Sequence, residues 1–311
     1  MNPLLAALLA AGIITPDDAE RINRSLDPDA ARAWAEQQMA LAVQGGLSAQ
    51  QARLVELVRR SNGNLSPAAR EAFWTAEDDR LWAAVRPTLE EVAAENAIAM
   101  AVRLGADDAM WRTVNERMLS WVNDYYVNAD AAAVGSIPNL NLTSRTQFAQ
   151  VFAEWNRGEF ETGTQAQGLP QLVAALEDVF GPARSELVAS TEVTRIFTES
   201  TRNAAEQNEF ITHYRFRAVA DEKVCSVCGP NHGRVIRKDE NGFPMAGGGV
   251  GFPPLHPRCR CQLIEETAAT VNLPLPPEER WQYSQERYDA AQRNRQAAER
   301  KPNALRTLTG G

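Results

Sequence analysis

A chain of 311 residues with 44% hydrophobic residues is long enough for about two domains with real cores, which excludes a disordered chain as the overall class. The net charge of -8 argues against a protein that coats DNA through general electrostatic attraction. The apolar run at residues 1–14 is too short to span a bilayer and has no basic region before it, so we expect neither a membrane span nor a signal peptide. The expected setting is a reducing cytoplasm.

The first part of the chain, up to about residue 208, has sequence signals for helix starts and helix ends. A capping side chain precedes a proline at three positions, a pattern typical of helix starts. These pairs are Thr15-Pro16, Asp27-Pro28 and Ser66-Pro67. Glycine-containing positions predict the matching helix ends. They are Gly45-Gly46, Asn62-Gly63 and Gly105.

Helical signals continue after a break near residues 135–138. An apolar stripe before the break is typical of a helix packed into a core, and it consists of Trp111, Val114, Met118, Trp121 and Tyr125. After the break we expect a helix over 144–156, another from Pro170 to about Gly181, and a long helix from Ala183 to about Asn208. These boundaries suggest a helical N-terminal region at 1–134 and a helical connector at 135–182.

The pattern changes after residue 210. Residues 213–219 alternate with a period of about two, which predicts a strand, and 234–237 and 261–264 are candidates for two more. A proline-rich linker follows near residue 273, and 266–311 as a whole is expected to hold this linker, a polar helix and a tail. The expected fold is mainly α, with a small C-terminal α+β module of short antiparallel strands stapled by zinc.

All four cysteines of the chain fall in one short window. Cys225 and Cys228 form a C-x-x-C pair followed by Gly229, whose lack of a side chain lets the backbone bend toward the sulfurs. Cys259 and Cys261 would point from the same face of an extended segment. Two such pairs can form a tetrahedral four-sulfur site, which suits structural zinc. Redox or disulfide pairing and unligated thiols remain alternatives.

Two histidines are alternative ligands. His256 precedes Pro257, which favours an extended conformation and places the ring three residues before Cys259. His232 lies in a turn sequence and is the weaker candidate. Arg258 and Arg260, together with Lys223, could offset the negative charge of four thiolates around a divalent cation. The H-x-E and H-E-x-x-H motifs of catalytic zinc sites are absent, so we expect no catalytic metal.

The order and spacing of four motifs closely resemble the Mu F-like phage head-morphogenesis family, also called minor head proteins. The motifs are Thr191-Glu192-Val193-Thr194-Arg195, residues 221–229, Gly242-Phe243-Pro244 and residues 253–261. The resemblance covers about 183–265 and implies a head-morphogenesis domain there. It further implies a non-enzymatic protein of a tailed phage or prophage, located in the virion head and in the host cytoplasm during assembly. Its implied partners are portal, capsid or scaffold proteins. The stretch after residue 265 is short for a fused toxin domain, so we expect a plain minor head protein.

Individual motif residues allow more than one interpretation. Glu192 and Arg195 lie three apart on a helix and could pair with each other, or Glu192 could reach Arg258 or Arg260. Asp221 is expected to cap the turn that enters the C-x-x-C pair.

Two other functional classes stay open at this point. From 212 to 264, eight Lys and Arg face four Asp and Glu, so a zinc-stapled module that contacts packaged DNA is one alternative. A nuclease in which His256 or His232 activates water is the other, although no further acidic or histidine cluster is evident to hold its metal.

Overall fold

The computed structural model describes residues 10, 12, 15–25, 27–104, 108–128, 137–157, 170, 172–176, 179–180, 182–219, 224–245 and 248–275. The chain divides into two compact units. The first takes in the described residues of Met1–Asn208 together with the segment His256–Cys259. The second takes in those of Glu209–Leu255 and Arg260–Gly311. The predicted C-terminal polar helix lies outside the described residues.

The first unit is built from helices, as the capping pattern predicts. Six have defined bounds: α1 (Pro16–Ser25), α2 (Pro28–Arg60), α3 (Pro67–Leu104), α4 (Asp108–Asn128), α5 (Ile137–Asn156) and α6 (Pro182–Glu206). Residues 172–176 are also helical, inside the stretch where a helix from Pro170 is expected. Helix α2 packs along both α3 and α6, and α4 packs against α3.

The helix starts follow the predicted capping chemistry. The Asp27 carboxylate accepts hydrogen bonds from the backbone N–H groups of Asp29 and Ala30, at 3.0 and 3.2 Å, and Pro28 begins α2. Ser66 caps α3 in the same way, because its hydroxyl accepts from the backbone N–H of Ala69. Each cap gives unsatisfied backbone donors of the first helical turn an acceptor.

Two helix boundaries differ from the predictions. Gly45-Gly46 does not end a helix, since α2 continues through both glycines to Arg60. A Cβ on Gly46 would lie 2.7 Å from Cδ1 of Leu81, so this glycine serves the close packing of α2 on α3. Helix α5 begins at Ile137 instead of near Ser144, because Pro138 is compatible with a first helical turn and Ile137 is buried.

The core of the helical unit is one continuous apolar cluster contributed by all the long helices. It includes Val114 and Met118 of the predicted stripe, while Trp121 and Tyr125 are half-buried and stack on each other. The side chain of Trp111 lies outside the described residues. The described residues of the stripe therefore form a packing face of α4.

Three of the strands in the second unit form an antiparallel sheet in the order β2-β1-β5. Their bounds are β1 (Ile211–Arg217), β2 (Val235–Arg237) and β5 (Gln262–Thr267). Phe216 on β1 packs edge-on against Phe243, with ring centroids 5.0 Å apart. The three predicted strands are confirmed, and the strands assigned in the described residues all lie after residue 210.

A second antiparallel pair, β3 (Phe243–Pro244) and β4 (Val250–Gly251), flanks the glycine-rich loop. Gly242 before β3 has φ +113, and a Cβ there would lie 2.3 Å from the carbonyl carbon of Gly251. Only glycine fits this close backbone approach. Among the helices that the structure describes, none is long and apolar enough to cross a membrane.

Candidate metal centre

The first cysteine pair lies in a tight turn. The backbone N–H of Gly229 donates to the carbonyl of Cys225 at 2.9 Å, and a short 3-10 helix, Gly229–Asn231, follows Cys228. The backbone N–H of Cys228 points at Sγ of Cys225, 3.3 Å away. A donor in that position stabilises negative charge on the sulfur, as a thiolate ligand requires.

The second pair lies beside strand β5. The backbone N–H of Cys259 donates to the carbonyl of His256 at 3.1 Å, which closes a turn over Pro257 and Arg258. Arg258 has φ +61, a left-handed conformation that costs a residue with a Cβ about 1 kcal/mol or more. Cys261 directly precedes β5.

The turns bring the four cysteines and one histidine together. Ligand atoms of Cys225, Cys228 and His256 lie within 4.8 Å of one another, and so do those of Cys228, Cys259 and Cys261. Cys228, Cys259 and Cys261 are buried, Cys225 is half-buried, and none of the four is joined in a disulfide in the structure. This donor set of buried soft ligands fits zinc, which favours sulfur and nitrogen in a tetrahedral arrangement.

These groups supply five candidate donors, one more than a tetrahedral zinc ion would take. His256 Nδ1 lies 2.7 Å from the carbonyl oxygen of Pro257, so a proton on Nδ1 would be held there and Nε2 would be the ligand atom. His232 belongs to neither group among the described residues, and its Nδ1 accepts a hydrogen bond from the backbone N–H of Ala218. His256 is therefore the histidine that the geometry favours as an alternative ligand.

Two threonines of the motif on α6 hold the segment His256–Cys259. The hydroxyl of Thr191 accepts from the backbone N–H of Arg258 at 2.9 Å and donates to the carbonyl of Leu187. The hydroxyl of Thr194 donates to the carbonyl of Cys259 at 2.5 Å. Both threonines are buried, so each replaces water as the partner of a backbone group. The motif thereby stabilises the strained turn at Arg258.

Glu192 faces a different part of the helical unit. Its carboxylate accepts from the Tyr125 hydroxyl at 2.9 Å and from the backbone N–H of Ile137, and it lies 3.5 Å from Nε of Arg195. The pairing with Arg195 is present, but it is buried instead of solvated. Burial raises the pKa of Glu192, although Arg195 and Tyr125 partly offset the effect. Burial lowers the pKa of Arg195, but Glu192, Tyr125 and Glu199 together outweigh it and the net shift is upward.

The remaining predicted residues lie around the turns. Gly229 is buried, Pro257 and Arg260 are half-buried, and Arg258 is exposed. Asp221 and Lys223 lie outside the described residues.

Sequence reasoning gave no separate role to Thr194 and did not select Arg32 or the Tyr125 hydroxyl. The spacing of Thr191 and Thr194, three apart on one helix face, is the one local signal that could have joined the two threonines.

The fold and the cysteine cluster define a mainly helical protein that carries a small β unit with a candidate metal centre. Residues 158–264 match the family model described as Phage Mu protein F like protein, and the whole cysteine window lies within that match. The match supports a Mu F-like assignment and, at the level of the family, a head-morphogenesis protein of a phage. No curated protein matches the chain. No solved structure matches it either.

Proposed function

We propose that this chain is a minor head protein of a tailed phage or prophage, which acts in head assembly or in genome packaging and delivery. The observation that carries the proposal is the Mu F-like match over residues 158–264. In this view, 183–265 form the head-morphogenesis domain, 1–134 and 135–182 are helical regions that precede it, and 266–311 follow it. Its partners are the portal and the capsid or scaffold proteins, and it resides in the virion head after assembly in the host cytoplasm.

The cysteine cluster is, in the same proposal, a structural zinc site. Cys225, Cys228, Cys259 and Cys261 supply the ligands, with His256 the alternative to one of them. Four protein ligands leave no open coordination position for water, so the role is to hold the turns and not to catalyse a reaction. The buried thiols grouped within 4.8 Å support this assignment.

The functional proposal is tested by deleting the gene in the phage or prophage that carries it and supplying the chain from a plasmid. We expect the deletion to abolish infectious particles and wild-type chain to restore them. Co-purification of a tagged chain with the portal protein from lysates arrested in assembly tests the partner. Normal numbers of infectious particles without the gene would contradict a role in the head.

The metal is tested separately on purified protein. Elemental analysis is expected to give about one zinc per chain, and cobalt substitution should give the absorption of a thiolate-rich tetrahedral site. Absence of metal, with mass spectrometry showing oxidised cysteine pairs, would contradict the zinc assignment without affecting the role in the head.

A further inference from the structure

A buried arginine of α2 reaches the cysteine turn through one hydroxyl. Arg32 is 7% exposed, and its NH2 group donates to Oγ1 of Thr194 at 2.5 Å. The two residues are 162 positions apart in the chain. The same hydroxyl of Thr194 donates to the carbonyl of Cys259. Arg32, Thr194 and the Cys259 backbone thus form one continuous buried chain of hydrogen bonds.

The direction of these hydrogen bonds matters for Cys259. A threonine hydroxyl has one proton to donate, and within a helix this proton commonly goes to the carbonyl four residues earlier. Thr191 does this, since its hydroxyl donates to Leu187. Arg32 occupies an acceptor position of the Thr194 oxygen, and the Thr194 proton then points at Cys259. The arginine therefore helps to fix the orientation of the hydroxyl that holds the cysteine backbone.

The rest of the arginine is held as well. Its Nε donates to Oε1 of Glu36 at 2.9 Å, on the same helix. Its buried NH1 atom has no hydrogen-bond partner among the residues the structure describes. Burying a guanidinium group with one donor unsatisfied costs free energy. The buried position of Arg32 therefore indicates that its hydrogen bonds to Glu36 and Thr194 are important for the structure.

We propose that Arg32 is a positioning residue for the metal centre, acting through Thr194 on the backbone of Cys259. Arg32 lies outside the Mu F-like match of residues 158–264. The inference rests on the proposed zinc site. Residues that orient metal ligands from outside the coordination sphere typically change metal affinity by about 10- to 100-fold when they are removed.

The test measures zinc on the full-length protein, by competition with a chromophoric chelator and by the rate of zinc release to excess chelator. We expect Arg32→Met and Thr194→Val each to weaken zinc binding by about 10- to 100-fold and to speed its release. The double variant should be little worse than either single one, because both changes act on the same hydrogen bond to Cys259. Thr194→Ser keeps the hydroxyl and should restore binding close to wild type.

The matched control is Arg53→Met on the same helix. Arg53 is held by Glu77, and no hydrogen bond among the described residues joins it to the cysteine turn, so this variant should lose stability while keeping its zinc affinity. The cobalt spectrum adds a readout that a general loss of stability does not move, because it reports the ligand geometry. If Arg32→Met does not fold, Arg32→Gln is measured in its place, since its shorter side chain also removes the donor to Thr194.

Two results would overturn the inference. Unchanged zinc affinity and release in a folded Arg32 variant or in Thr194→Val, beside a wild-type protein that binds zinc, would reject the positioning role and leave the proposed metal site intact. A wild-type protein that binds neither zinc nor cobalt would reject the metal site itself, and this inference with it.

Discussion

Two glutamates of α3, Glu77 and Glu95, are both held by arginines, yet their pKa values shift in opposite directions. Glu77 is fully buried and accepts two hydrogen bonds from Arg53, at 2.7 and 2.6 Å, and one from Arg80 at 2.8 Å. Burial raises the pKa of Glu77, but these arginines outweigh it and the net shift is downward.

Glu95 lacks this close hydrogen bonding. Its nearest arginine atoms lie 3.4 Å away on Arg21 and 3.6 Å away on Arg24. Burial raises the pKa of Glu95, and the charges of the two arginines offset only part of that rise. The longer distance of the guanidinium groups, together with the neighbouring charge of Glu91, therefore leaves the pKa of Glu95 raised.

Charge removal at the two sites is expected to give pH profiles of opposite slope. The stability due to Glu77 is present above the ordinary carboxyl pKa of about 4.3 and is lost as the pH falls through its lowered folded value. Glu77→Gln should therefore lose more stability as the pH rises from acid to neutral, by about 1.5 to 3 kcal/mol at neutral pH, because the arginines left behind can still reach solvent. Glu95 has a raised pKa, so its contribution to stability is lost as the pH rises. The stability of Glu95→Gln relative to wild type should therefore increase from acid to neutral pH.

Urea unfolding at a series of pH values measures both profiles. Glu90→Gln is the control on the same helix, because the exposed pair of Glu90 with Arg86 should contribute only about 0 to 1 kcal/mol. Parallel profiles for the variants at positions 77 and 95 would contradict this explanation.

At the scale of elements, the adjacent glycines in α2 have different surroundings. A Cβ on Gly45 would meet nothing within 4 Å, whereas one on Gly46 would lie 2.7 Å from Cδ1 of Leu81 on α3. Both are inside a helix, where glycine is less favourable than alanine by about 0.5 to 1 kcal/mol. Gly45 thus has only the disadvantage of glycine, while Gly46 permits two helices to approach.

Gly45→Ala is expected to raise the free energy of unfolding by about 0.5 to 1 kcal/mol. Gly46→Ala should be less stable than Gly45→Ala, because Leu81 must move to accept the methyl group. Thermal or urea unfolding of the two variants measures the difference, and each serves as the control for the other. Equal gains at both positions would show that the α2–α3 contact tolerates the added methyl group.

This pair also shows what the sequence could and could not predict. Capping at Asp27 and Ser66 is a local interaction, so the starts of α2 and α3 were predicted correctly. From the sequence alone, a glycine that permits a helix–helix contact cannot be distinguished from a glycine that ends a helix. The prediction that Gly45-Gly46 ends a helix was therefore wrong. The candidate metal ligands could be predicted from the sequence because the two cysteines of each pair lie close together in the chain. The contacts of Arg32 and of Tyr125 join residues far apart in the chain, and no spacing rule predicts them.

At the scale of the whole molecule, the two units differ in what can stabilise them. The helical unit has a continuous apolar core. The part of the second unit that the structure describes is small, and its larger sheet has three strands, of which β2 has 3 residues. A unit of this size rarely buries enough apolar surface to offset its conformational entropy, so a metal that contributes about 10 to 16 kcal/mol would be decisive.

We expect Cys228→Ser and Cys259→Ser to unfold the cysteine region locally and to leave the helices formed. The variants should keep most of their far-UV helical signal, lose bound zinc, and fail to support infectious particles. Excess chelator added to wild-type protein should reproduce the spectral result. Ser226→Ala is the control, since Ser226 is exposed between the two ligands of the first pair. Normal infection by particles carrying Cys259→Ser would show that the metal site is dispensable.

The hydrogen bonds from Arg32 through Thr194 to Cys259 also bear on how such a gene can change by recombination. An exchange that replaced only the part before residue 158 with unrelated sequence would preserve every cysteine and both threonines of the motif. It would nevertheless separate Thr194 from its arginine partner. A hybrid whose new helices lacked a donor of equivalent reach would then hold its metal more weakly, so that inheritance of the two parts is coupled through a single buried hydroxyl.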